Sequence, residues 1–192
     1  MVTKNDLSSK DLLLILLYSP GIGEKYNEAI SGRTRIIKMV FLFEKELYKE
    51  FFNTIKIEIP EFEPYDYGPF SKSLFDDLRF FTSINFIEAA ETRIPLSTSE
   101  QYEFELDKSD IEDDEYSFIE PVGNVELEYK LTNIGESYVS KYLWKKFSAN
   151  QHDALKRFKK NINVISLDSL LRYVYTKYPE SASKSKIADK YL

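Results

Sequence analysis

Apolar side chains repeat every three to four residues in three stretches of the first half of the chain, which predicts three helices. The predicted helices cover residues 10–18, about 34–52 and about 70–83. The third follows Gly68 and Pro69, which suit an N-cap and a first helical position. The first half of the chain is therefore predicted to be mainly helical.

Other stretches alternate apolar and polar residues, which is typical of strands with one buried face. The alternation covers residues 55–59 and 125–131, and residues 86–90 are also predicted to form a strand. We expect the strand at 55–59 to pair with a hairpin formed by the other two. Residues 91–124, between the two hairpin strands, are mostly polar.

The hairpin is followed by signals for the start of a fourth helix. Asn133 can cap this helix while Glu136 reaches back to the cap, which is a capping-box arrangement. Gly135 lowers helix stability, so it is predicted to mark a close approach of neighbouring backbone.

Two more helices are predicted at the C-terminal end. Ser148 with Gln151 forms a second capping-box pattern, which opens a helix to about residue 160. Ser166 opens a last helix, which is predicted to stop before Pro179. The residues after it are expected to form a polar tail.

This order of elements, three helices and then two strands leading into a fourth helix, is the plan of a winged helix, a helix-turn-helix core with a β-hairpin attached. The predicted fold class is α+β, with a winged helix-turn-helix core, a small antiparallel sheet and a C-terminal helical extension. We expect residues 1–147 to form the winged-helix-like domain, with an acidic insertion at about 97–121. Residues 148–192 are expected to pack on it as a basic helical extension.

Short stretches of the sequence also resemble known proteins. Residues 32–41, GRTRIIKMVF, and residues 65–71, YDYGPFS, resemble the YwgA-like proteins of bacteria and archaea, and LTNIG at 131–135 fits the same pattern. The YGP box, followed by an aromatic residue and serine, is similar to the Panacea domain of toxin-neutralising antitoxins and phage-associated proteins. The resemblance covers about residues 10–145 and implies a winged-helix-like scaffold without established catalysis.

The composition narrows the possible chemistry. The chain has 192 residues, no cysteine and one histidine, which excludes disulfides and cysteine nucleophiles and argues against Ser-His-Asp catalysis. His152 is predicted to be a surface residue, because no second histidine or cysteine could complete a metal site with it. We therefore expect no enzyme, no metal and no cofactor. The apolar runs of the chain are too short for a membrane span, and its N-terminus does not resemble a signal peptide. We therefore expect a cytoplasmic protein without a membrane partner.

Charge is divided unevenly along the chain. The net charge is −6, but residues 141–192 carry an excess of eight positive charges and residues 1–140 an excess of fourteen negative charges. Residues 100–120 alone hold ten acids against Lys108. These acids lack the ligand spacing and the central glycine of a calcium-binding loop. The division indicates either an acidic partner for the basic end or mutual attraction of the two ends.

Two groups of candidate contact residues lie at predicted helix starts. On the third helix they are Ser71, Lys72, Ser73 and Arg79, where donors would reach DNA phosphates. Asp76 and Asp77 would repel DNA there, so the alternative is a winged-helix scaffold reused for protein contacts. On the second helix they are Arg33, Arg35 and Lys38, whose charge opposes the positive helix terminus. Either a bound anion or salt bridges, with Glu44 or with the acidic segment, would explain them, and we favour salt bridges.

The third group is the strongest candidate for DNA affinity. Its members are Lys141, Lys145, Lys146, Lys156, Arg157, Lys159 and Lys160. Tyr142, Trp144 and Phe158 are interleaved with these cations, a combination that fits backbone and stacking contacts to nucleic acid. Aromatic residues at helical spacing are, however, more often part of a core.

Two functions are consistent with these features. The first is a non-catalytic winged-helix DNA-binding protein of the transcription-regulator type, a homodimer whose basic C-terminal helices and third helix contact the backbone of double-stranded DNA. The second is a protein–protein interaction module, antitoxin-like or part of a complex, whose acidic segment 97–121 grips a basic partner.

Overall fold

Helices and two small antiparallel sheets make up the computed structural model, which describes residues 6–51, 53–93 and 125–191. The predicted acidic insertion at about 97–121 lies outside these residues. The described helices are α1 (Ser9–Tyr18), α2 (Arg33–Leu42), α3 (Lys72–Ser83), α4 (Asn133–Tyr138), α5 (Ala149–Val164) and α6 (Leu167–Lys177). The described strands are β1 (Ile30–Ser31), β2 (Glu63–Tyr65), β3 (Gly68–Phe70), β4 (Ile87–Arg93) and β5 (Val125–Leu131). The predicted α+β class is confirmed.

Helices α1 and α2 lie at the centre of the hydrophobic core. Every side chain from Leu12 to Tyr18 and from Thr34 to Leu42 is buried. A π-helical turn and a 3-10 turn continue α2 as far as Glu50, so the helix predicted at about 34–52 is confirmed. Because α1, α5, α6 and β3 all contact α2, its charged residues are enclosed together with its apolar ones.

The larger sheet has three strands in the order β1-β5-β4. All its pairs are antiparallel, with Ile87 opposite Leu131 in the β4–β5 hairpin and Ile30 opposite Tyr129 at the β1 edge. These four side chains are buried, which places one face of the sheet against the core. The hairpin predicted from residues 86–90 and 125–131 is therefore confirmed.

The strand predicted at residues 55–59 is wrong. This stretch forms a single parallel bridge, between Ile57 and Leu7, and the strand that completes the sheet is the two-residue β1. Ile55 and Ile57 are nevertheless buried. Alternation indicates only that one side of an extended chain is buried, and here, among the described residues, that burial is accompanied by the single bridge to Leu7 and not by a neighbouring strand.

A second, two-stranded sheet lies immediately before α3. Gly68 and Pro69 belong to its strand β3 and not to the start of the helix, which corrects the predicted N-cap. The actual cap is Ser71, whose side chain accepts a hydrogen bond from Leu74 N. The β2–β3 hairpin therefore fixes where α3 begins.

The predicted close approach at Gly135 is confirmed. A Cβ added to this residue would collide with the carbonyl oxygen of Phe86. The helix cap is one residue earlier than predicted, since the Thr132 hydroxyl accepts from Gly135 N at 3.3 Å. The same hydroxyl donates to Asn85 O at 2.7 Å, so this corner ties the start of α4 to the loop between α3 and β4.

Replacing Gly135 with alanine should lower the free energy of unfolding by up to roughly 2 kcal/mol. Alanine is favoured in helices by about 1 kcal/mol, but the collision with the Phe86 carbonyl costs roughly 1–3 kcal/mol, and that oxygen belongs to rigid backbone. Urea unfolding followed by circular dichroism measures the change. Ser137→Ala, at an exposed position of the same helix, is the control. A variant more stable than the wild type would show that the corner can open.

Beyond α4, the extension packs against the central helices and ends in an ordered tail. The capping box of Ser148 and Gln151 at the start of α5 and the Ser166 cap of α6 are both confirmed. The tail differs from the polar tail that was predicted, because Tyr191 is buried with its ring edge against the ring of Tyr175. No described helix is long and apolar enough to cross a membrane.

Candidate functional site

Lys159 is enclosed within the protein, so its predicted contact with DNA is wrong. The side chain is 0% exposed, and its ammonium donates to the carbonyl oxygens of Leu17 and Glu28, each at 2.6 Å. Burial lowers the pKa of Lys159 to about 7, although the negative charge of Glu28 acts in the opposite direction. This cation therefore joins α5 to the end of α1 and to the loop that follows it.

Two cations of α2 are also used inside the structure. Arg35 Nη1 donates to the carbonyl oxygens of Ile162 and Ile165, both at 2.7 Å, at the C-terminal end of α5. That end of a helix has carbonyls without intrahelical partners and carries partial negative charge. Lys38 Nζ donates to Pro69 O at 3.0 Å and so holds the β2–β3 hairpin. Because both side chains are buried, the alternative that they bind an external anion is wrong. The favoured alternative, salt bridges, stays a prediction, since the contacts described above are to main-chain carbonyls.

Arg33, the third member of that group, is the first residue of α2 and lies against α3. Its guanidinium is over the ring of Phe75, 5.5 Å from the ring centre. It lines a groove of about 640 Å³ between α3 and the β4–β5 hairpin. Arg79 also lines this groove, but Asp76 and Glu91 do so as well. The groove is therefore mixed in charge, with apolar walls.

The candidates on α3 do not form a basic surface. Ser71 is buried as the helix cap, so its predicted contact with DNA is wrong. Lys72 and Ser73 are exposed, as is Asp76. Asp77 is buried and pairs with Lys10 at 3.4 Å, and burial raises the pKa of its carboxyl. Acids and bases thus alternate along the side of α3 that faces solvent.

Many cations of the C-terminal end are neutralised by acids of the same chain. The described ion pairs are Lys156 with Glu24, Arg172 with Asp168, Lys177 with Glu46, Lys186 with Asp66 and Lys190 with Asp168. This supports, for these residues, the expectation that opposite charges within the chain attract each other. The excess of positive charge available to a partner is correspondingly smaller than the sequence suggests.

Six cations of the C-terminal end remain outside the core and outside these pairs, and two of them, Lys141 and Lys184, are exposed on other elements. We call the other four the basic surface: Lys145, Lys146, Arg157 and Lys160. Lys145, Arg157 and Lys160 are exposed and Lys146 is half-buried, and none forms an ion pair with a described residue. Arg157 and Lys160 share the solvent side of α5, since residues three apart lie on one helix face. Lys145 and Lys146 end the 3-10 turn that leads into α5.

Of the aromatic residues named with these cations, Trp144 belongs to the core and Phe158 packs against it, whereas Tyr142 is exposed. Trp144 is 8% exposed, and its ring stacks on His152 with centres 4.2 Å apart and planes at 6°. Its edge contacts Tyr18 and Tyr26. Trp144 therefore has no free face for a nucleic-acid base, and the core interpretation of this residue is confirmed. His152 Nε2 lies 2.9 Å from Trp144 O, so the histidine supports the stack.

Sequence reasoning missed a polar cluster that joins the end of α2 to α6. Glu46 Oε1 accepts from Tyr173 OH, Lys177 Nζ and Tyr178 OH at 2.8, 3.0 and 3.0 Å. Burial raises the pKa of Glu46, but these three hydrogen bonds outweigh it and lower the pKa overall. Only the spacing of Tyr173 and Lys177, one helical turn apart, hints at the cluster in the sequence. Because all three donors bond to one carboxylate, we interpret the cluster as a contact that holds the two elements together.

A second missed contact explains the Gly21-Ile22-Gly23 turn. The Glu28 carboxylate accepts from Ile22 N and Gly23 N, both at 2.6 Å. Consecutive amides of this kind are an anion-binding arrangement, and here the chain's own carboxylate occupies it. Among the described residues, no group of three or more histidine, aspartate or glutamate side chains could hold a metal ion.

Comparisons of the chain with protein-family models, curated proteins and solved structures find no match.

Proposed function

We propose that this protein is a non-catalytic winged-helix protein that binds double-stranded DNA through the basic surface. The observation that carries the proposal is the contrast between this surface and the other cations of the C-terminal end. Arg172, Lys177 and Lys190 are paired with acids of the chain, whereas none of the four cations of the basic surface forms an ion pair with a described residue. Such cations add affinity for DNA by releasing the counterions condensed on its phosphates.

The order of the elements supports the winged-helix part of the proposal. The chain runs through α1, β1, α2, α3, β4 and β5, and its sheet has the order β1-β5-β4. A helix-turn-helix unit followed by a β-hairpin, with a short strand between its first helices added to that hairpin, has this connectivity. The β2–β3 hairpin between α2 and α3 is an addition to this plan.

The proposed DNA contact is to phosphates more than to bases. On α3 the exposed Lys72 is offset by the exposed Asp76, so this helix adds little net positive charge where a recognition helix would enter a groove. Contacts made by the basic surface position a protein on DNA without reading its sequence. We therefore expect binding that depends weakly on sequence and strongly on salt, with Kd on the order of 10⁻⁴–10⁻⁶ M at physiological salt.

Reversing the charge of the basic surface should abolish this binding. The variant is Lys145→Glu, Lys146→Glu, Arg157→Glu and Lys160→Glu, measured by fluorescence anisotropy on a random-sequence duplex of about two helical turns. We expect Kd to rise at least about 100-fold at about 50 mM salt, and the slope of log K against log salt to shrink by about one per lost contact.

The matched control reverses four exposed lysines outside the basic surface, Lys25, Lys49, Lys56 and Lys184. This control should keep most of the affinity and most of the salt slope. Equal losses in both variants would show that only net charge matters. Absence of binding by the wild type at about 50 mM salt would overturn the proposal.

The second candidate function is a protein–protein interaction module that binds a basic partner. It is favoured by the excess of acids over cations in the chain, and by the internal pairing of C-terminal cations, which leaves fewer of them for DNA. Residues 97–121, which would carry this contact, lie outside the described residues. The two proposals differ in the anisotropy experiment, because an acidic module binds a labelled polylysine peptide and not the duplex.

A further inference from the structure

A cleft of about 310 Å³ opens between the end of α2 and the segment that leads into β2. Apolar side chains form its walls. The ring of Phe41 contacts the rings of Phe62 and Tyr178, each with ring centres 5.4 Å apart, so this wall is built of packed rings. The other apolar residues that line the cleft are Ile59, Pro60, Pro64 and Pro69. A concave site with apolar walls and a few polar groups is the usual form of a binding site.

Glutamates from three parts of the chain surround this cleft, and we call them the acidic rim: Glu44, Glu61, Glu63 and Glu180. Glu44 lies in the π-helical turn after α2, and Glu180 lies in the 3-10 turn after α6. Glu61 and Glu63 are exposed, whereas Phe62 between them packs against the core. The fold therefore brings acids that are far apart in sequence to one apolar cleft.

The acidic rim keeps most of its negative charge. Lys45 is the one cation among the described residues that line the cleft, and its ammonium pairs with Glu44 at 3.4 Å. The carboxylates of Glu61, Glu63 and Glu180 form no ion pair with a described residue. Three carboxylates are therefore open to a cation from outside the chain.

Other cations of this region do not neutralise the acidic rim. Lys177 pairs with Glu46 at 3.0 Å, and Lys186 pairs with Asp66. Lys49 and Lys184 are exposed, but neither is among the described residues that line the cleft. The excess of negative charge at the cleft is therefore local and does not depend on the net charge of the chain.

The segment that forms one side of the cleft also has main-chain groups open to a ligand. Within the described part of the chain, the main chain of residues 59–62 forms no hydrogen bond with another residue. This segment continues into β2, which pairs with β3 in a two-stranded sheet and has no described strand on its other edge. An extended peptide adds to main-chain groups of this kind.

We propose that this cleft binds an extended basic segment of a partner protein. Charge complementarity selects the occupant, because the acidic rim attracts arginine and lysine and repels nucleic acid. Alternate side chains of an extended chain point to opposite sides, so a segment that alternates basic and apolar residues can meet the rim and the walls together. Arginine suits the rim best, since its guanidinium binds a carboxylate through two parallel hydrogen bonds.

Fluorescence anisotropy tests the proposal on the full chain, with a labelled peptide of about eight residues in which arginine alternates with valine. We expect Kd on the order of 10⁻⁵–10⁻⁴ M at about 50 mM salt, since the interface is small. Reversing the three open acids together, Glu61→Lys, Glu63→Lys and Glu180→Lys, should raise Kd at least about tenfold, because three attractive contacts become repulsive.

The matched control reverses three exposed acids that do not line the cleft: Asp76, Glu91 and Asp153. It changes the net charge by the same amount and should bind the peptide within about twofold of the wild type, because distant charges are screened. Equal losses in the two variants would place the peptide elsewhere on the chain and overturn the proposal. No binding by the wild type at about 500 µM would also overturn it.

Two further peptides test the apolar and main-chain contacts. Serine in place of valine, or N-methylation of alternate residues, should each raise Kd about tenfold. Unchanged binding of both would show that only charge matters and would overturn the proposal. Self-association of the wild type in sedimentation velocity, abolished by the rim reversal, would make a second copy the occupant and overturn it as well. DNA binding is a separate outcome, because none of the reversed residues belongs to the basic surface.

Discussion

Replacing Lys159 with methionine should lower the free energy of unfolding by roughly 2–4 kcal/mol. Methionine fills a similar volume but donates no hydrogen bond, so the carbonyl oxygens of Leu17 and Glu28 lose the donor that now lies 2.6 Å from each. A buried acceptor left without a partner costs about 1–3 kcal/mol. Removal of the buried charge offsets part of this cost. The net effect is still destabilising, because two carbonyl oxygens lose their donor while only one charge is removed.

Urea unfolding followed by circular dichroism measures the effect, with Lys160→Met as the matched control. Lys160 is the next residue of α5 but is exposed, so its substitution should change stability by less than about 0.5 kcal/mol. Equal stability of the two variants would mean that water or main-chain movement can satisfy both carbonyls.

The pH dependence of stability gives an independent check on the same residue. The pKa of Lys159 falls from 10.5 to about 7 on folding, because burial disfavours the ammonium. Between these values the unfolded chain binds a proton that the native chain does not, so the free energy of unfolding rises with pH over this window. This stabilisation by Lys159 is lost as pH falls through about 7. Lys159→Met lacks this group. The difference in stability between wild type and variant should therefore widen from pH 7 to pH 10, and a constant difference would contradict the assignment.

Lys159 also shows what the sequence could have revealed about the candidate site. It stands among exposed cations, Arg157 and Lys160, and in a linear sequence it resembles them. Its helical neighbours on the same side, Leu155 and Ile162, are both buried, and the 3.6-residue period places Lys159 between them. The helical repeat of buried positions therefore distinguishes a buried structural cation from one on the surface. The partners of Lys159, in contrast, are main-chain carbonyls far along the chain, which no residue pattern encodes.

Much of the fold was predictable where it depends on local pattern. The Ser148–Gln151 capping box is confirmed because both its residues and its geometry lie within one turn. The close approach at Gly135 is confirmed because a glycine inside a helix is costly without a reason. Strand β1 has two residues, too few for a period, and its place depends on pairing with β5 across nearly a hundred residues. Residues 55–59 have the pattern of a strand, but within the described part of the chain they pair only at the Ile57–Leu7 bridge.

The YGP box illustrates the same limit and leads to a second large effect. Gly68 has φ +86°, a left-handed conformation that costs residues with a Cβ about 1–2 kcal/mol. A Cβ there would also lie 2.5 Å from Cε1 of Tyr175. That ring is fully buried, and its hydroxyl shares a 2.8 Å hydrogen bond with the Ser185 hydroxyl, which donates to Asp66 O at 3.1 Å. The β2–β3 hairpin, α6 and the C-terminal tail therefore enclose, from three sides, the space that a side chain at position 68 would occupy.

Gly68→Ala should consequently lower the free energy of unfolding by roughly 2–5 kcal/mol, the sum of the backbone cost and a collision of about 1–3 kcal/mol with a ring that cannot move aside. Gly23→Ala is the control, because its added Cβ would meet only the end of the flexible Glu28 side chain. We expect that control to lose less than about 1 kcal/mol. If thermal unfolding shows the two variants to be equally stable, Tyr175 can shift. The hairpin that sets the start of α3 is then not fixed by the C-terminal end of the chain.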